Sequence, residues 1–342
     1  MKTMREILNI QQQLVPDLTD VLKKRYTILR HIQLMGVAGR RSLAAALGLT
    51  ERVLRSETDF LKAQGLVEID SSGMRISPSG RELLDAMEPA ARELFGLSEM
   101  EEALRKKFGL KSVTVVPGDS DSSPLAKKEL GRAGAAVIRR VVRDNDIVAV
   151  AGGSTMAETA EWLSASFPVK NVTFVPARGG LNESVELQAN TIVSTMAKRT
   201  NGLYQLLHVP DNLGEEAYQS LMQEPGIREV VASIRKARVI VHGIGDAERM
   251  ARRRKMEPRA IEALKEAGAV AEAFGFYFDK SGRMVYRMPT IGLRLEDIER
   301  TETVIAIAGG RSKGEAIAAV MLFGHEDMLV TDEAAARVML GL

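Results

Sequence analysis

Ile147-Val-Ala-Val-Ala-Gly-Gly-Ser-Thr155 is an unbroken apolar run, a Gly-Gly turn and two hydroxyl residues that open a helix. A run of this kind reads as a strand buried on both faces, and the turn after it aims backbone amides and the positive end of a helix at an anion. The phrase recurs as Val304-Ile-Ala-Ile-Ala-Gly-Gly-Arg-Ser-Lys313. Neither copy has the Gly-x-x-x-x-Gly-Lys-Ser/Thr spacing of a nucleotide phosphate loop or the Gly-x-Gly-x-x-Gly of a dinucleotide site. Tight strand-to-helix turns also use glycine for steric reasons alone. Two copies, carrying hydroxyls and Lys313, favour ligand binding. The first offers Gly152, Gly153, Ser154 and Thr155, and the second Gly309, Gly310, Arg311, Ser312 and Lys313. One loop per phosphate predicts a bisphosphorylated ligand.

Around these phrases short apolar runs alternate with helical segments. Candidate strands are 112–116, 147–151, 172–175, 204–209, 238–241, 304–308 and 328–330. The alternation predicts an α/β fold, a Rossmann-like parallel sheet over residues 111–342, with ligands at the C-terminal strand ends. Residues 276–286 read as a hairpin inserted in that pattern. Further site candidates are Arg178 in Val175-Pro-Ala-Arg-Gly-Gly180 as an anion clamp and Gln188 as a partner for sugar hydroxyls. The basic run Arg252-Arg-Arg-Lys255 would supply a cation, and Glu272 is a carboxylate among small and apolar residues, where isolation would be costly.

The N-terminal 80 residues read differently. Helical periodicity over 17–35, a short helix over 40–47 closed by Gly48, and a third helix over 51–64 capped by Thr50 precede a hairpin at 66–77. Helix, turn, helix and wing predict a winged helix-turn-helix DNA-binding domain over residues 1–80. Arg52 and Arg55, three apart near the start of the third helix, are candidates for base or backbone contact, with Val53, Leu54, Phe60 and Leu61 expected to face inward. Arg40 and Arg41 suit the phosphate backbone, and Arg75 in the wing would reach an adjacent groove. A solvated basic face and a protein-binding winged helix are the competing readings. Residues 81–110 read as a helical linker interrupted at Pro89 and Gly96.

Composition narrows the classes. In 342 residues there are no cysteines, which excludes disulfides, thiolate metal sites and cysteine nucleophiles together, and four scattered histidines show no metal-ligand spacing. No apolar run reaches the ~18 residues of a membrane span. Residues 1–13 read as an amphipathic helix without a signal-peptide core, so the expected location is cytoplasmic. Residues 1–80 hold 12 Lys+Arg against 8 Asp+Glu, a net +4, and the remainder carries −2. A basic head on an acidic body fits nucleic-acid contact by the head alone.

In order along the chain, Gly39-Arg-Arg-Ser-Leu, Glu51-Arg-Val-Leu-Arg55, Gly118-Asp-Ser-Asp121, Val175-Pro-Ala-Arg-Gly-Gly180, Gln188-Ala-Asn-Thr191, Val241-His-Gly-Ile-Gly245 and Glu272-Ala-Phe-Gly275 resemble the SorC/DeoR-type sugar-binding transcriptional regulators. The resemblance covers essentially the whole chain. It implies a repressor of an operon for lower-glycolysis enzymes, glyceraldehyde-3-phosphate dehydrogenase among them. Its inducer would be fructose-1,6-bisphosphate, held in a domain similar to phosphosugar isomerases and deaminases, with no cofactor. Carried over position by position, the contacts would come from Gly153, Ser154, Thr155, Arg178, Gln188, Arg253, Glu272 and Lys313. Ser154 stands where the family pattern has threonine, keeping the hydroxyl. Partners implied are operator DNA and further copies of the chain, as homodimer or homotetramer, with no membrane. One rival is a regulator of the same class responding to a different sugar phosphate, such as a pentose phosphate or a monophosphate. The other is a phosphosugar isomerase or deaminase, for which Glu272, Asp119, Asp121 and His242 are acid-base candidates without a convincing pair.

Overall fold

The computed structural model describes residues 10–11, 13–165, 169–180, 184–211 and 215–342. The amphipathic helix expected over residues 1–13 falls mostly outside them. The chain divides into two compact units, Met1–Met100 and Glu101–Leu342.

In the first unit α1 (Pro16–Met35), α2 (Arg40–Leu47) and α3 (Glu51–Ala63) are followed by the hairpin β1 (Val67–Asp70) and β2 (Gly73–Ile76), then by α4 (Pro78–Leu94). Thr50 caps α3 by accepting from the Val53 amide at 3.3 Å. Ile28, Ile32, Leu43, Leu54, Leu61, Met74 and Leu84 close one core. On α3 the buried positions are Leu54, Glu57, Thr58 and Leu61, one helical stripe. Val53 and Phe60, expected inward, are each 40% exposed. The Arg25 guanidinium lies 3.6 Å over the Phe60 ring, so that ring is covered by a cation rather than by the core. α4 runs unbroken through Pro89 to Leu94. The residues expected to form a linker, 81–110, lie mostly in α4 and in α5 (Leu97–Phe108), and the boundary between the units falls inside α5.

The second unit is built on a seven-stranded sheet, all of whose pairings are parallel. Its strands are β3 (Ser112–Val116), β4 (Ile147–Val150), β5 (Thr173–Pro176), β6 (Leu203–Tyr204), β7 (Val239–His242), β12 (Thr303–Ile307) and β13 (Met328–Asp332), in the order β3-β13-β12-β7-β4-β5-β6. Of the run expected at 204–209 only Tyr204 is strand, because β6 is an exposed edge with a single neighbour. The central strands are mainly aliphatic: Val148, Val150, Val239, Val241, Ile305 and Ile307 are at most 1% exposed. Helices packed on the sheet cover this apolar surface, including α6 (Pro124–Val141), α7 (Ser154–Glu161) and α8 (Ala189–Thr200).

From β4 the chain proceeds toward β5 and β6, whereas from β7 it proceeds toward β12 and β13. Since β4 and β7 are neighbours, their C-terminal ends form a switch point, where an open parallel sheet leaves a crevice. Between β7 and β12 a small antiparallel sheet is inserted: β8 (Gly245–Asp246), β9 (Ala269–Ala273), β10 (Phe276–Asp279) and β11 (Met284–Arg287). It contains the hairpin expected at 276–286. The helix α9 (Ala247–Arg253) leads from β8 toward it.

Candidate functional site

At the switch point lies a cavity of about 330 Å³. It gathers Gly152, Gly153, Ser154, Thr155, Arg178, Gln188, Arg253, Glu272 and Lys313 from segments far apart in the chain, together with Arg249 and Ser312. Gly310 is not in its lining.

The two Gly-Gly phrases differ at this cavity. In the first, Gly153 has φ +117, a conformation only glycine takes easily, and it leads into α7 without a side-chain cap. Its amide donates to the Leu187 carbonyl at 2.9 Å. Among the described residues nothing accepts from the amides of Ser154 and Thr155, so the open end of α7 faces the cavity with its donors available. In the second, the corresponding amides are filled by carboxylates. Gly310 donates to Asp332 Oδ2 at 2.7 Å, Arg311 to Asp119 Oδ1 at 3.2 Å and Ser312 to Asp121 Oδ2 at 2.8 Å. The expectation of two equivalent amide cradles is therefore corrected: the chain's own aspartates occupy the second. What that loop brings to the cavity is Ser312 and the ammonium of Lys313. Burial pushes the Lys313 pKa down, while Asp121 and Asp332 act in the opposite direction.

Arg178 and Glu272 are not isolated groups facing a ligand. Arg178 forks onto Asp211 (Nε to Oδ1 2.5 Å, Nη2 to Oδ2 2.8 Å) and reaches Glu272 Oε1 at 3.4 Å. Arg254 completes the square, 2.5 Å from Asp211 and 2.7 Å from Glu272. All four residues are buried. Two cations and two anions satisfy one another, which is how a buried charge becomes tolerable. The cluster forms a polar wall: Arg178, Arg254 and Glu272 line the cavity, and the Glu272 Oε1 also accepts from the Gly275 amide at 2.6 Å. In the basic run after β8, helical phase assigns three fates. Arg252 turns outward to Glu248, Arg253 lines the cavity with Nη1 3.7 Å from the Met250 sulfur, and Arg254 enters the wall.

Asp211 and Arg249 were not singled out from the sequence, and Arg254 and Phe274 entered only as members of the Arg252-Arg-Arg-Lys255 run and the Glu272-Ala-Phe-Gly275 phrase, without a role of their own. The only local signal for Phe274 is the glycine after it. Phe274 has φ +54 and Gly275 φ +84, a hairpin turn that holds an aromatic ring in a left-handed conformation costing about 1–2 kcal/mol. That ring lines the cavity and lies 4.3 Å from the His242 ring. His242 itself is fully buried, and burial lowers its pKa to about 4. It faces Glu326 at 3.6 Å, whose carboxyl burial raises to about 8. The nominated acid-base candidates are thus separated by role. Glu272 sits in the ion square, Asp119 and Asp121 bind backbone amides, and His242 lies beneath Phe274.

On the first unit Arg40 and Arg41 open α2 and Arg52 and Arg55 lie on α3, all exposed. Arg41 is 3.5 Å from Glu51 and Arg55 3.7 Å from Asp59, exposed pairs of the kind worth about 0–1 kcal/mol, so both guanidiniums can change partners at little cost. Arg75 is held to Asp70 in the wing at 2.8 Å. Beneath α3, the buried Glu57 is anchored by Lys24 at 2.5 Å and Arg25 at 2.8 Å, which fixes the helix to α1.

Comparison with known proteins agrees with this division. Residues 21–91 match the CggR N-terminal DNA-binding domain, and residues 92–341 match the sugar-binding domain family. The chain is 48% identical to the central glycolytic genes regulator of Priestia megaterium, over 98% of both chains, and 43% identical to that of Bacillus subtilis, over 98% of this chain and 99% of the other. A crystal structure from Enterococcus faecalis assigned to the SorC family is 42% identical over 71% of this chain and 99% of its own, with a TM-score of 0.67. Full-length SorC of Klebsiella pneumoniae, 19% identical, shares the fold over 99% of each chain, with a TM-score of 0.66. The chain belongs to the SorC-type sugar-binding transcriptional regulators that include the central glycolytic genes regulators, and it is a DNA-binding regulator rather than an enzyme.

Proposed function

We propose that the chain represses central glycolytic genes, the operon of glyceraldehyde-3-phosphate dehydrogenase among them, and that fructose-1,6-bisphosphate bound in the switch-point cavity relieves the repression. One observation carries this reading: a single cavity has a helix start with open amides on one side and Lys313 with Arg249 and Arg253 nearby. Amide donors around a helix start suit one phosphate, and fixed cations suit another. Between them Gln188 and the polar wall offer hydrogen bonds to sugar hydroxyls. The relatives named as central glycolytic genes regulators, 43–48% identical over nearly the full length, support the same target genes. The first unit reads the operator through Arg52 and Arg55, with Arg40 and Arg41 on the phosphate backbone, in a symmetric assembly of chains.

A footprint on the protein's own upstream DNA, with and without fructose-1,6-bisphosphate, tests this directly. Protection is expected without the sugar and should weaken with it; protection indifferent to the sugar removes the inducer assignment. Arg52→Ala or Arg55→Ala should abolish the footprint and leave sugar binding intact.

A further inference from the structure

Gly118-Asp-Ser-Asp121 carries part of the family resemblance but has no part in the proposal above. It lies between β3 and α6 and reaches the second Gly-Gly loop, 191 residues away. The Asp121 carboxylate sits directly over Gly310: a Cβ there would lie 2.3 Å from Asp121 Oδ1, which with φ +103 explains the glycine.

The three carboxylates on this loop are not equivalent. Asp332 is fully buried, accepts from the Ser120 amide at 2.8 Å, and caps the helix Glu333–Leu340 through the Ala335 amide at 2.9 Å, so it is part of the fold. Asp119 divides one oxygen between the loop and its own segment, accepting at Oδ1 from the Arg311 amide at 3.2 Å and from the Asp121 amide at 2.9 Å. Asp121 is exposed, and among the described residues its one hydrogen bond from another segment is from the Ser312 amide at 2.8 Å. Ser312 and Lys313 line the cavity while Asp121 itself does not, so through the Ser312 amide Asp121 holds an anion's place next to the lining, and its charge acts on the Lys313 ammonium that a ligand would use.

We infer that Asp121 is an internal stand-in for the ligand's second phosphate: without ligand it occupies the Ser312 amide and balances Lys313, and a bound bisphosphate displaces it. The inference deepens the phosphosugar reading and rests on it. A carboxylate carries one charge and a phosphate ester nearly two, with three acceptor oxygens, so only an anion of the phosphate class gains by the exchange. A sugar with one phosphate, seated on the open amides at Ser154 and Thr155, leaves Asp121 in place. Asp121 thereby determines specificity at the second pole, and its displacement moves the 118–121 segment only when both poles are filled.

Calorimetric titration of the full-length wild type, Asp121→Asn and Asp121→Ala with fructose-1,6-bisphosphate and with fructose-6-phosphate tests this. Both variants should bind the bisphosphate about threefold tighter or better, with the monophosphate unchanged. Asn preserves shape and one acceptor, so it decides the matter if Asp121→Ala lowers the thermal midpoint. Bisphosphate affinity that stays the same or falls in Asp121→Asn, with a wild type that binds both sugars, overturns the inference. An equal gain for both sugars overturns it as well, since the competition would then not be confined to the second phosphate. A wild type that binds neither sugar removes the phosphosugar reading and this inference with it.

Discussion

The two Gly-Gly loops have nearly the same sequence and opposite states. Both follow a buried aliphatic strand, both turn through a glycine at positive φ, and both start a helical segment. The first presents its amides to the cavity, whereas the second has given them to Asp332, Asp119 and Asp121. A motif that makes donors thus does not by itself make a site; what counts is whether another part of the chain has already supplied the acceptor. The strands that bear the loops, β4 and β12, flank β7, so the filled and the open loop stand on either side of one central strand.

Closing the open loop should have the largest effect. A Cβ on Gly152 would lie 2.8 Å from the Leu187 carbonyl oxygen, the same oxygen that accepts from the Gly153 amide. Gly152→Val should push residues 187–189 off the loop and weaken sugar-phosphate binding by about a hundredfold or more, the loss of two or three amide contacts. Retained binding would show that the first loop is not the cradle. Lys313→Met, which keeps volume and deletes charge, should weaken fructose-1,6-bisphosphate by about tenfold to thirtyfold and fructose-6-phosphate far less. Equal losses would place both phosphates at one pole and end the contrast between the loops.

His242, at the end of the strand between them, and Glu326, in the loop before β13, contribute a pH dependence. Burial raises Glu326 to about 8 from an ordinary 4.5 and lowers His242 to about 4 from 6.5. From pH 4.5 to 6.5 the two opposing effects cancel: the folded chain keeps a proton on Glu326, and the unfolded chain keeps one on His242. From pH 6.5 to 8 only the folded chain holds the extra proton, so stability falls as pH rises, by about 1.4 kcal/mol per pH unit. Glu326→Gln should flatten that limb in urea unfolding; an unchanged slope would assign it elsewhere. Thr155→Val, removing one hydroxyl at the open loop, should have the smallest effect, about a fivefold loss of affinity, on monophosphate and bisphosphate alike.

Much of this is legible in the sequence because it depends on neighbours. The aliphatic strands, the glycine turns, the Thr50 cap and the wing all declare themselves within a few residues, and the cavity gathers most of the positions read as ligand contacts. What escapes is pairing at long range. Asp211 is an ordinary loop residue until Arg178, 33 residues earlier, and Arg254, 43 later, close on it. Asp119 and Asp121 look like surface acids until β13, β12 and the segment after β3 are brought together. Phe60 looks like a core residue because nothing nearby in sequence announces that Arg25 covers it.

The central claim is that one cavity holds a sugar bisphosphate between an open loop and a filled one. A crystal structure of the chain grown with fructose-1,6-bisphosphate tests it most directly. The account predicts one phosphate on the amides of Ser154 and Thr155, the other against Lys313, and Asp121 withdrawn from the Ser312 amide. The sugar seated elsewhere, or bound here with both phosphates away from Lys313, would contradict it.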